Sequence, residues 1–153
     1  MKMFRSKTKS KSSKKIGNEL ENIVAQMLNQ AQIPYSQETT TTSLKTRCKG
    51  NVDFKCYNPL AYLECKRFTK LISYKLNSEN TDIKWSQIQF LNKARISNAK
   101  AGFILREATH QELYYLSIES FIEHYCSNKK NSINLNDLKK IAQVITDLEF
   151  LKK

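Results

Sequence analysis

Glycine and proline are scarce in this chain of 153 residues, at 3 and 2 copies, and long apolar runs are missing altogether. So little Gly and Pro excludes a collagen-like or Pro/Gly-rich low-complexity chain. The longest apolar stretches, around Gly102–Leu105 and Leu113–Leu116, fall far short of the roughly 20 residues that a membrane-crossing helix needs. No membrane partner is therefore expected. Histidine is limited to His110 and His124, and the four cysteines, Cys48, Cys56, Cys65 and Cys126, form no CxxC pair. That spacing is poor for zinc. Cys56 and Cys65 sit in alternating apolar runs, where a thiol kept reduced acts as a small hydrophobe, and no chemistry is assigned to them.

Acids are absent from residues 1–15, where Lys2, Arg5, Lys7, Lys9, Lys11, Lys14 and Lys15 supply +7 of the total +12. This segment is expected to be a disordered basic tail ahead of a single domain over residues 16–153, and the 40% apolar content suffices for a core. It lacks the apolar centre of a signal peptide and the Arg-rich stripe of a mitochondrial presequence, which leads to an expected cytoplasmic, DNA-associated location in a bacterium or phage-infected cell. Lys9, Lys11, Lys14 and Lys15 are candidate phosphate contacts through counterion release. A solvated arm that aids solubility and an arm lying on an anionic membrane surface are the alternatives.

Ile16, Leu20, Ile23, Val24, Met27, Leu28 and Ala31 recur at helical spacing and stop before Pro34, which predicts a first helix. Val52–Cys56 alternates, Tyr57-Asn58-Pro59 turns, and Leu60–Arg67 extends again, as in a hairpin. Residues 68–83 read as a loop, Trp85–Ala99 as a helix, Gly102–Leu105 as a buried parallel strand and Glu112–Ile118 as a strand. A short helix over Phe121–Tyr125 and a terminal helix over Asn136–Phe150, capped by Asn134 or Asn136, complete the expectation of an α/β sandwich.

The hairpin brings Asp53 beside Glu64, with Lys66 two residues further on the same face because strand side chains alternate. Two hard carboxylates are what Mg²⁺ takes from a protein when water and substrate phosphate fill its other positions, and a lysine nearby steadies developing negative charge. A surface ion pair between Glu64 and Lys66 beside an unrelated Asp is the alternative. Glu19 and Glu21 flank the apolar stripe of the first helix by similar angles, so periodicity does not choose between them.

These residues resemble the PD-(D/E)XK nuclease superfamily, and within it the RecU-type Holliday junction resolvases, over roughly residues 14–118. Gly17-Asn18-Glu19-Leu20-Glu21 is similar to the family's first-helix pattern, Asp53 to its metal-binding aspartate and Glu64-Cys65-Lys66 to its E-x-K. Ser86–Leu91 is similar to its H-Q-I segment and Ala101–Leu105 to the apolar strand that follows. The resemblance implies a restriction-endonuclease-like sandwich with an αβββαβ core, a mixed sheet flanked by helices. It also implies Mg²⁺ or Mn²⁺ on Asp53 and Glu64, with Gln87 completing the shell, Lys66 stabilising the transition state, and Glu21 rather than Glu19 supporting the site. Val52 stands where the family has proline, Asn51 where it has a hydroxyl residue, and the interval from Glu21 to Asp53 is too short for the resolvases' stalk. The expected activity is metal-dependent DNA cleavage that resolves branched recombination intermediates as a homodimer, with Arg67 and Lys70 holding phosphates and no small-molecule cofactor beyond the metal. A nickase or homing-type endonuclease, and a non-catalytic nucleic-acid-binding module, are the competing readings.

Overall fold

The structure is a computed structural model and describes residues 13–38, 52–75, 80–128 and 130–153, with side chains from Glu19 onward. Helix α1 (Ser13–Gln30) buries Leu20, Val24, Met27 and Leu28 along its predicted stripe. It starts at Ser13, so Lys14 and Lys15 belong to the helix rather than to a tail, as Ser and Lys without a breaker allow. The helix closes where Gln32 takes a left-handed φ of 59° and Ile33 N–H reaches back to Leu28 O, just ahead of Pro34.

Strands β1 (Tyr35–Gln37), β2 (Phe54–Tyr57) and β3 (Leu60–Phe68) follow, with β2 and β3 forming the expected hairpin. After them comes β4 (Leu71–Ser73), then α2 (Trp85–Ile96), β5 (Lys100–Glu107), β6 (Leu113–Ser117) and α3 (Ile118–Asn128). The chain ends in β7 (Ser132–Asn134), α4 (Leu135–Ile141), β8 (Gln143–Ile145) and a 3₁₀ turn over Glu149–Lys152. Six strands form one mixed sheet in the order β1-β2-β3-β5-β6-β8. Among the described strands of this sheet, β3 and β5 are the only neighbours that pair in parallel, and α2 lies between them in the chain. Strand β5 is buried on both faces as predicted: Phe103 and Leu105 meet the α2/α3 side, Ile104 the α1 side.

Three expectations need correction. Residues 68–83 are not all loop, because Ile72, Tyr74 and Ile83 are buried and β4 pairs with β7 in a separate two-stranded sheet. The terminal helix does not run to Phe150. It stops at Ala142, whose backbone is extended, and Val144 and Ile145, β-branched residues suited to a pleated surface, add β8 to the edge of β6. Asp53 is not in a strand but in a bend immediately before β2. Asn134 caps α4, its side chain accepting from Asp137 N–H at 2.8 Å.

The sheet thus has two cores. One lies under α1 and the C-terminal residues Leu148 and Leu151, the other under α2, α3 and the small sheet. Among the described residues no helix is long and apolar enough to cross a membrane.

Candidate active site

The antiparallel register pairs Phe54 with Leu63 and then stops, because β2 begins at Phe54 while β3 continues to Phe68. Cys65 N–H would then lack its ladder acceptor on that side. The Asp53 carboxylate takes the vacant position, with Oδ2 accepting from Cys65 N at 2.7 Å. This bond, rather than strand geometry, holds Asp53 beside Glu64.

Glu64 is buried at 5% exposure on the face of β3 that meets α2. Its Oε1 lies 3.4 Å from Lys66 Nζ, two residues on along the same face, and accepts from Gln87 Nε2 at 2.8 Å. Gln87, in the first turn of α2, spends its other end on the chain: Oε1 accepts from Lys84 N–H at 3.1 Å and so covers a free amide at the helix start. The Gln87 amide thus orients Glu64 through its nitrogen, while its oxygen has one of two lone pairs engaged by Lys84 N–H.

Glu21 completes the group from α1, with Gln37 of β1 donating to its Oε2 at 3.2 Å. Its carboxyl is raised above the usual range by burial and by the charge of Asp53. Asp53 is raised by burial, against the lowering pull of Cys65 N–H and Lys66. Glu64 is pushed up to about 8 by burial and then by Asp53, with Lys66 opposing. Burial and mutual repulsion thus make the ionised form of all three carboxyls less favourable than in water. A positive counter-charge placed among them would favour their ionised forms.

All five residues singled out for chemistry, Glu21, Asp53, Glu64, Lys66 and Gln87, come together, and Glu21 rather than Glu19 is the glutamate that faces Asp53. The phosphate-binding candidates divide differently. Arg67 and Lys70 are exposed and line a cavity of about 440 Å³ at the end of β3 with Thr69 and Asp82. Lys9 and Lys11 lie outside the described residues, as do the side chains of Lys14 and Lys15. Gln37 escapes a reading of the sequence because nothing in its polar surroundings signals a strand, and the Cys65 amide because side-chain patterns do not show where a ladder runs out.

Among the described residues no three His, Cys, Asp or Glu side chains form a ready-made metal cluster. The donor set nevertheless suits a hard divalent cation, which takes one or two carboxylates from a protein and leaves its other positions to water and phosphate; the raised carboxyls of Asp53 and Glu64 are the ones such a charge would favour in ionised form. No protein-family model and no curated protein matches this chain.

Proposed function

We propose that the chain is a divalent-metal-dependent DNA endonuclease of the PD-(D/E)XK type, built on a restriction-endonuclease-like sandwich. One observation carries the reading: Asp53, anchored on Cys65 N–H, stands beside a buried Glu64 whose oxygen is shared by Lys66 and Gln87. A surface ion pair needs neither burial nor a second acid, and a module that merely bound nucleic acid would gain nothing from acids facing phosphate. The formal charge of +12 suits a polyanionic substrate.

Mg²⁺ or Mn²⁺ on Asp53 and Glu64 would supply Lewis-acid polarisation of the phosphoryl oxygens and a more acidic water. The protein does the rest. Gln87 fixes the Glu64 carboxylate and Cys65 N–H fixes Asp53, so neither must reorganise during reaction. Lys66 Nζ, part-exposed beside Glu64, stabilises charge growing on the phosphorane oxygens. Glu21, held by Gln37, tunes the protonation of Asp53. Branched recombination intermediates cut by a homodimer are the substrate and assembly this reading favours, since symmetric cleavage of two strands needs two such sites.

Purified protein incubated with labelled four-way junction, linear duplex and plasmid, with Mg²⁺ or with EDTA, tests this. Cutting should require the metal, vanish in Asp53→Asn, and fall by about 100-fold or more in Lys66→Ala. Metal-independent cutting, or full activity in both variants, rejects the assignment. If duplex is cut as readily as junction, the resolvase specificity fails while the nuclease stands.

A further inference from the structure

The sheet face that carries Glu64 and Lys66 also carries a group of side chains that the cleavage chemistry does not use. Lys55 of β2 pairs in register with Tyr62 of β3 and with Ser36 of β1. Its Nζ lies 5.4 Å from the ring centre of Tyr57 and 5.8 Å from that of Tyr62. Tyr57 is 53% exposed, unusual for so large a ring, yet its hydroxyl is tied to Ser36 Oγ at 2.9 Å. Tyr62 is braced from beneath by Phe90 of α2, edge to face at 5.2 Å between centroids. Both rings are therefore held in place, one of them in solvent, with a cation between them.

Alternation along β3 puts Tyr62, Glu64 and Lys66 on one face, so Tyr62 stands two residues, about 7 Å, from the candidate active site, and Tyr57, in register with Leu60, about 13 Å along the strand from Glu64. Fixed aromatic rings beside lysines are the equipment that holds unpaired nucleic acid, because every base has a face to stack and every nucleotide a phosphate to neutralise. In a duplex the bases are already stacked on each other and offer no free face.

We propose that Tyr57 and Tyr62, with Lys55 between them, form a stacking platform for an unpaired nucleobase of the DNA strand whose phosphate lies at Glu64 and Lys66. The inference rests on the nuclease reading and narrows its substrate to DNA with single-stranded character at the cut, as at a branch point, flap or frayed end. The base stacks on the exposed Tyr57 ring, and Lys55 turns to the flanking phosphate.

Binding of the full-length protein in EDTA to a fluorescent oligothymidylate and to a blunt duplex tests the platform apart from catalysis. Tyr57→Ala should weaken oligothymidylate binding about 5- to 100-fold and change duplex binding less than about twofold, whereas Tyr57→Phe, which keeps the ring, should stay near wild type. In parallel, an oligonucleotide bearing 5-iododeoxyuridine should photo-crosslink to the peptide that holds Tyr57 or Tyr62. Equal losses on both DNAs, no loss on either, or crosslinks confined to other peptides overturn the platform while leaving the nuclease intact. A wild-type protein that binds neither DNA also overturns the platform, and the nuclease is then judged by the cutting assay with Mg²⁺ alone.

Discussion

Glu64 shows most directly what the site does to a single residue. Its carboxyl sits at about 8 instead of the ordinary 4.5, raised by burial and by Asp53. The folded protein therefore keeps a proton that the unfolded chain releases above about pH 4.5. The stability linked to that proton is fully present at acid pH and is lost as the pH rises through about 8. In EDTA, the wild-type Tm should fall relative to that of Glu64→Gln between about pH 5 and 8, by on the order of 5 °C. Mg²⁺ added at pH 8 should narrow the gap. Parallel calorimetric profiles for the two proteins would contradict the assigned burial. Gln87→Ala removes the side-chain partner of the Lys84 amide and leaves Glu64 with Lys66 alone of the two groups sharing its oxygen, so it should cost about 1–2 kcal/mol of stability and weaken Mn²⁺ binding roughly tenfold, measurable by titration calorimetry. Glu64 and Lys66 were legible in the sequence because alternation along β3 places them, and Asp53 because the hairpin brings the residue before β2 close to them. The reason Asp53 holds its position was not legible, since it lies in a backbone amide.

Among the elements, β5 constrains its neighbours most tightly. Gly102 has no room for a side chain: a Cβ there would sit 2.6 Å from Leu116 O and 3.0 Å from the Ser117 Cα. Gly102→Ala should therefore push β6 away from β5 and cost about 1–3 kcal/mol, read as a drop in the denaturation midpoint with an unchanged urea m-value. The sequence showed α1, the hairpin, α2 and β5, whose patterns are long or alternate cleanly. It hid β4, where the apolar residues are only Leu71, Ile72 and Tyr74, set among Thr69, Lys70, Ser73 and Lys75, and the partner strand β7 lies some sixty positions away. It also disguised the C-terminus, where Leu138, Ile145 and Leu148 fit a helical stripe equally well. Pairing with β6 and burial of Leu148 and Leu151 against the α1 core decided the matter.

For the whole molecule, charge and layering matter together. Deleting residues 1–12 removes five positive charges, Lys2, Arg5, Lys7, Lys9 and Lys11, and leaves α1 its full length. DNA binding should weaken and the slope of log K against log salt should flatten, by up to about 0.9 for each phosphate that the tail no longer neutralises, while metal-dependent cutting persists. An unchanged slope in filter-binding assays would assign the grip to the folded body alone. The layering has a further consequence. Glu21 belongs to the helix on one face of the sheet, Gln87 to the helix on the other, and Asp53 lies at the notch between them where β2 begins one position short. A cation or phosphate seated there would fasten the two layers to each other like a clasp. Chelation would then register as a fall in the single cooperative transition of the entire protein, not as the loosening of a loop.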